Sequence, residues 1–188
     1  MRILRKLFDF YIQSSIHVAF AVFCLLQITV VSSQQQLNNH YSICVFFGTV
    51  LGYNFLKYFE FFRRKNFHSN KYYSILAVTF LAGIGFLFSF YFLNYSFQKL
   101  ILISGLFVLI YPFLRNFGWL KLFLVSFVVT FITVYIPFQD TKWLPLEFYT
   151  SVFQRFFILI SLLVPFEIMD SKTDDKSLNT LPQLFGIN

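Results

Sequence analysis

Charge is what this sequence has least of. Only 12% of its 188 residues are Asp, Glu, Lys or Arg, against roughly a quarter in an ordinary soluble domain. With 57% hydrophobic residues and a mean hydropathy of +0.67, a water-soluble domain is excluded, because too little polar surface remains to cover a globule of this size. Cysteine is almost missing as well. Cys24 and Cys44 both fall inside apolar runs, so they are expected to be buried packing residues, and no disulfide framework is available. The three histidines, His17, His40 and His68, are scattered and have no metal-ligand spacing. Low-complexity tracts, repeats and soluble linkers are absent, since Gln34-Gln35-Gln36-Leu37-Asn38-Asn39 is only a short polar connection. Pro112, Pro137 and Pro165 all stand near the ends of apolar segments, which argues against the interrupted midplane helices of a transporter or the pore of a channel.

What the sequence does have is aromatic, apolar length. Phe 30 and Tyr 11 are more large rings than a small aqueous core could bury, and a bilayer solvates them. Six apolar segments stand near 11–32, 41–62, 73–93, 96–114, 117–137 and 148–169, most of them near the ~20 residues that a crossing helix needs. Lipid offers no partner to an open backbone, and barrel-type alternation is missing, so every span is expected to be helical. The fold class is therefore all-α: a polytopic membrane bundle of about six helices, forming one transmembrane domain over 1–188.

The net charge of +7 follows the membrane and not a nucleic acid, because no basic patch with interleaved aromatics exists outside the apolar runs. Arg2, Arg5, Lys6, Arg63, Arg64, Lys65, Lys71, Arg115, Lys121, Lys172 and Lys176 fall on connections of one side, and only Lys99 and Lys142 on the other. That bias predicts both termini in the cytoplasm and a multi-pass protein of the plasma (inner) membrane. The first apolar run is too long for a cleaved signal peptide, so it is read as a retained span.

Polar residues inside spans are costly in hydrocarbon and are functional candidates by default. Asn54, Lys57 and Glu60 recur at steps of three near the cytoplasmic end of the second segment. At the matching end of the last segment, four of the chain's eight acidic residues, Glu167, Asp170, Asp174 and Asp175, crowd together. If the helix continues past Pro165, Glu167, Asp170 and Asp174 share a face at i, i+3 and i+7. Mg²⁺ held by such carboxylates suits a diphosphate ligand, whereas the plainer alternative is a solvated helix end. Arg155 is expected to snorkel to the outer surface or to pair with Glu147 or Asp140, about 22 Å along the helix from Asp170.

The string Asp170-xxx-Asp174 followed by Thr180-Leu-Pro-Gln-Leu-Phe-Gly186 resembles the second aspartate-rich motif of the UbiA-type intramembrane prenyltransferases. The resemblance implies the first two-thirds of a nine-helix fold, with Mg²⁺ on Asp170, Asp174 and Glu167, and with Asn54, Lys57, Asp170, Asp174 and Lys176 around a polyprenyl diphosphate. Its prenyl group would pass to an aromatic or similar hydrophobic acceptor. Asn54 takes the asparagine of the family's first motif, but the three aspartates fall on Phe55, Tyr58 and Phe62. The remaining helices would come from a longer coding sequence or a membrane partner subunit, unless the chain is a reduced relative. The alternative function is a non-catalytic integral membrane scaffold or subunit, in which Lys57 pairs with Glu60 or Glu167 and ties the second helix to the sixth.

Overall fold

The computed structural model describes residues 2–34, 36–64, 70–114, 120–139, 141 and 145–170, and among these every regular element is helical. The order is α1 (Arg2–Gln13), α2 (Ile16–Ser32), α3 (Asn39–Arg64), α4 (Asn70–Tyr91), α5 (Tyr95–Leu114), α6 (Leu120–Thr130) and α7 (Leu146–Asp170). A π-helical turn at Phe131–Tyr135 and a 3-10 turn at Ile136–Phe138 prolong α6. The chain divides into two compact units, Met1–Ile101 and Leu102–Asn188.

Among the described residues four stretches are long and apolar enough to cross a membrane: Tyr73–Tyr91, Tyr95–Phe113, Leu120–Phe138 and Leu146–Pro165. A fifth arises if α1 and α2 count as one span, but these two helices meet at a 64° bend. The expectation of an uninterrupted first segment is thus corrected. The 17 residues of α2 cover about 25 Å, short of the ~30 Å hydrocarbon layer. The second expected segment, α3, has the length, at 26 residues, but Asn54, Lys57 and Glu60 lower its apolarity and it is not among the four.

Within the first unit α2 and α3 run antiparallel in a constant register. The Gln27 amide donates to Ser42 Oγ at 3.1 Å near one end, Ala19 packs beside Val50 in the middle, and the Tyr58 hydroxyl donates to the Gln13 carbonyl at 2.8 Å at the other. Ala19, Val50 and Ala82 form the core where α2, α3 and α4 meet, with Phe46, Phe47, Leu51 and Val78 around them. Small residues let helix backbones approach closely, which is the main packing force available once lipid has removed the hydrophobic one. At Gly85 that approach is extreme, for a Cβ there would lie 2.6 Å from the Phe47 ring. A short turn after α4 leads into α5, where the Gln98 side chain donates to the Phe90 carbonyl at 3.0 Å and meets one of the acceptors that the end of α4 leaves open.

In the second unit α6 and α7 are also antiparallel. Phe123 meets Phe156 with ring centroids 6.1 Å apart, and Phe138 meets Phe148 at 5.4 Å, over a core of Val134, Phe138, Phe148 and Val152. The expected abundance of lipid-facing rings is seen in Phe80, Phe88, Tyr91, Phe113, Phe153 and Phe157, all exposed on helix flanks. Of the two thiols, Cys44 is buried as expected, whereas Cys24 is exposed.

Candidate functional site at the helix break

Buried polar residues gather at the break between α1 and α2. Ser14 and Ser15 sit there, both fully buried, and Ser15 takes the left-handed conformation with φ 61°. Serine pairs are among the few causes of sharp helix bends. The Ser14 hydroxyl donates back to the Tyr11 carbonyl at 3.3 Å, while Ser15 starts α2 without its side chain capping the first turn.

A helix that stops inside a bundle exposes its last carbonyls, which carry the negative end of its dipole. Lys57 answers them. Its ammonium reaches across from α3 and donates to the carbonyls of Ile12 at 3.3 Å and Gln13 at 3.4 Å. The Tyr58 hydroxyl shares the Gln13 carbonyl, and the ammonium lies 5.5 Å from the Tyr58 ring centroid. Lys57 remains exposed. An ammonium has three donors, so one N–H is still free to meet an anion beside these two carbonyls.

One turn earlier on α3, Asn54 is buried, with 2% of its surface exposed. Its amide nitrogen donates to Thr79 Oγ1 of α4 at 2.9 Å, and Thr79 in turn donates to the Ile75 carbonyl at 2.8 Å. Its amide oxygen has no partner, nor do Ser15 Oγ and His17 Nδ1. The α2–α3 register set by Gln27–Ser42 and Ala19–Val50 brings Ser15 level with Asn54.

Of the residues singled out in the sequence, Asn54 and Lys57 are therefore neighbours on α3 in the first unit. Glu167 and Asp170 belong to the second, where α7 continues through Pro165 to Asp170, so the condition for their i, i+3 spacing is met. Asp174 and Lys176 lie outside the described residues. Among the described residues no three His, Cys, Asp or Glu side chains gather to hold a metal. Oxygen donors of the Glu167 and Asp170 type are nevertheless the right chemistry for Mg²⁺.

Arg155, expected to snorkel or to pair with Glu147 or Asp140, is buried at 8% exposure, and Asp140 lies outside the described residues. The contacts of Phe123 with Phe156 and Tyr135 with Phe148 set it near the level of Ser126. Ser126, Thr130 and Thr133 are buried along α6 and its π turn, and the hydroxyls of Ser126 and Thr130 have no partner. Sequence reading passed over Ser15, Thr79 and this α6 row because single hydroxyls are common in membrane helices. The available signal was spacing: Ser126, Thr130 and Thr133 recur at i, i+4 and i+7, the repeat of one helix face. Against known protein families, curated proteins and solved structures, the chain finds no match.

Proposed function

We propose that this is a UbiA-like multi-pass membrane protein that binds a polyprenyl diphosphate with the help of Mg²⁺. The observation that carries the reading is the unbroken course of α7 to Asp170, which puts Glu167 and Asp170 at i and i+3 of one helix and brings that helix to the start of the Asp170-xxx-Asp174 string. Glu167, Asp170 and Asp174 would hold Mg²⁺, which supplies charge neutralisation to a diphosphate. The resemblance adds Lys57 and Lys176 as cations, whereas Asn54 is buried with its amide nitrogen donating to Thr79. Transfer of the prenyl group to an aromatic or similar acceptor is the further step that the resemblance implies. In this reading α2 and α3 join the four long apolar stretches in a six-span bundle with both termini in the cytoplasm. Support for α3 comes from its pairing with α2 from Ser42 to Val50, which makes it run through the same depth, and from the burial of its Asn54 among helices.

A second reading, the non-catalytic scaffold or subunit, is favoured by one observation. Asn54, Lys57 and Tyr58 all make hydrogen bonds to neighbouring helices, as residues kept for assembly would. Titration of the purified chain with geranylgeranyl diphosphate, with and without Mg²⁺, separates the two. Diphosphate binding predicts Mg²⁺-assisted affinity that Asp170→Asn/Asp174→Asn removes. Equal binding by both proteins, or by neither, leaves the scaffold.

A further inference from the structure

Only the last residues of the first helix, Ile12 and Gln13, take part in the contacts described so far, yet its sequence is distinctly amphipathic. Leu4, Leu7, Phe8, Tyr11 and Ile12 recur at the spacing of one helix face, and Arg5, Lys6 and Asp9 occupy the other. Among the described residues little covers the first two turns of the apolar face: Leu4 is 72% exposed, Leu7 and Phe8 each 61%. A helix that crossed lipid would have to bury Arg5, Lys6 and Asp9 in hydrocarbon, whereas one that stood in water would leave three large apolar side chains wet. Both costs vanish at the boundary between headgroups and acyl chains.

The bend settles the orientation. α2 is apolar throughout, apart from His17, Gln27, Thr29 and Ser32, and if it runs along the membrane normal the 64° turn lays α1 closer to the membrane plane than to that normal. The turn is not a loose joint, since Ser15 is buried at φ 61° and α3 grips the end of α1 through Lys57 and Tyr58. We propose that α1 is an in-plane interfacial helix that seats its Leu4–Leu7–Phe8 face among acyl chains and its Arg5–Lys6 face against anionic lipid headgroups. The occupant follows from charge: Arg5 and Lys6 outweigh Asp9, Arg2 adds a third basic residue in the sequence, and basic amphipathic helices of this kind bind anionic membrane surfaces.

The test uses the full chain carrying Cys24→Ala, with the buried Cys44 left in place, and single spin labels at positions 4 to 9, reconstituted in phosphatidylcholine or in phosphatidylcholine with phosphatidylglycerol. In the mixed vesicles, oxygen accessibility should peak at 4, 7 and 8 and accessibility to a water-soluble nickel chelate at 5, 6 and 9, with no trend in depth along the helix. In phosphatidylcholine alone, and in mixed vesicles for Arg5→Gln/Lys6→Gln, the apolar positions should gain chelate access, each lost cation weakening partition on the order of fivefold. Depth rising steadily from 4 to 9 would make α1 part of a crossing span and overturn the proposal. Chelate access at every position would make it a free arm, with the same result, and identical profiles in both vesicles would remove the anionic lipid as partner.

Discussion

Lys57 is the residue whose removal tells most about how the first unit is held. In Lys57→Met the stem volume is kept while the ammonium is lost, together with its bonds to the Ile12 and Gln13 carbonyls at 3.3 and 3.4 Å. Hydrogen bonds to a charged group contribute ~1.5–3 kcal/mol each at good geometry. These two are long and exposed, and an exposed charge at a helix C-terminus adds only ~0.3–1 kcal/mol, so the pair together should be worth about 1–2 kcal/mol. The Gln13 carbonyl keeps the Tyr58 hydroxyl as a donor, whereas the Ile12 carbonyl loses the ammonium. Tyr58→Phe alone should cost about 1 kcal/mol. Because both side chains converge on one acceptor, the double variant should depart from additivity by ~0.5 kcal/mol or more. Equilibrium unfolding in mixed micelles reads the stabilities, and a spin-label pair at positions 4 and 31 reads the bend, whose distance distribution should broaden in Lys57→Met. If Lys57→Met matched wild type in both stability and distance, the idea that α3 clamps the end of α1 would be wrong.

Two further outcomes follow from the backbone. Ser15→Gly should stabilise the chain by about 1 kcal/mol in the same unfolding assay, since a left-handed conformation costs a residue with a Cβ roughly 1–2 kcal/mol, while Ser15→Val should destabilise it. Gly85→Ala should cost about 1–3 kcal/mol by overpacking, because the Phe47 ring that it meets is itself wedged in the α2–α3–α4 core; Gly105→Ala, with nothing within 4 Å, is the control and should leave the midpoint unchanged.

Composition and apolar length made the helical, membrane-embedded class legible, and the last segment could be followed past Pro165 because a proline lowers helix stability without forbidding continuation in a bundle. The break at Ser14–Ser15 was not legible. It lies at the junction of an amphipathic stretch and an apolar one, and scanning for apolar length alone runs the two together, while attention to prolines as breakers misses a serine pair. Lys57 was picked out correctly as a polar residue in need of a partner, but a search for carboxylates could not find main-chain carbonyls, which exist as acceptors only once a helix has ended beside it. For Arg155, distance along the helix fixed its depth but gave no sign of its burial.

The contrast between the two native thiols turns the first unit into its own clock. Cys24 faces outward from α2, while Cys44 is sealed at 0% exposure, so a membrane-permeant maleimide should modify the first at once and the second only when α3 separates from its neighbours. With Cys24 removed, the rate at which Cys44 becomes labelled counts those openings in the native bilayer, without denaturant and without an added probe. Loosening at Gly85, Ser15 or Lys57 would then register as faster modification of a sulfur atom that none of the three side chains needs to touch.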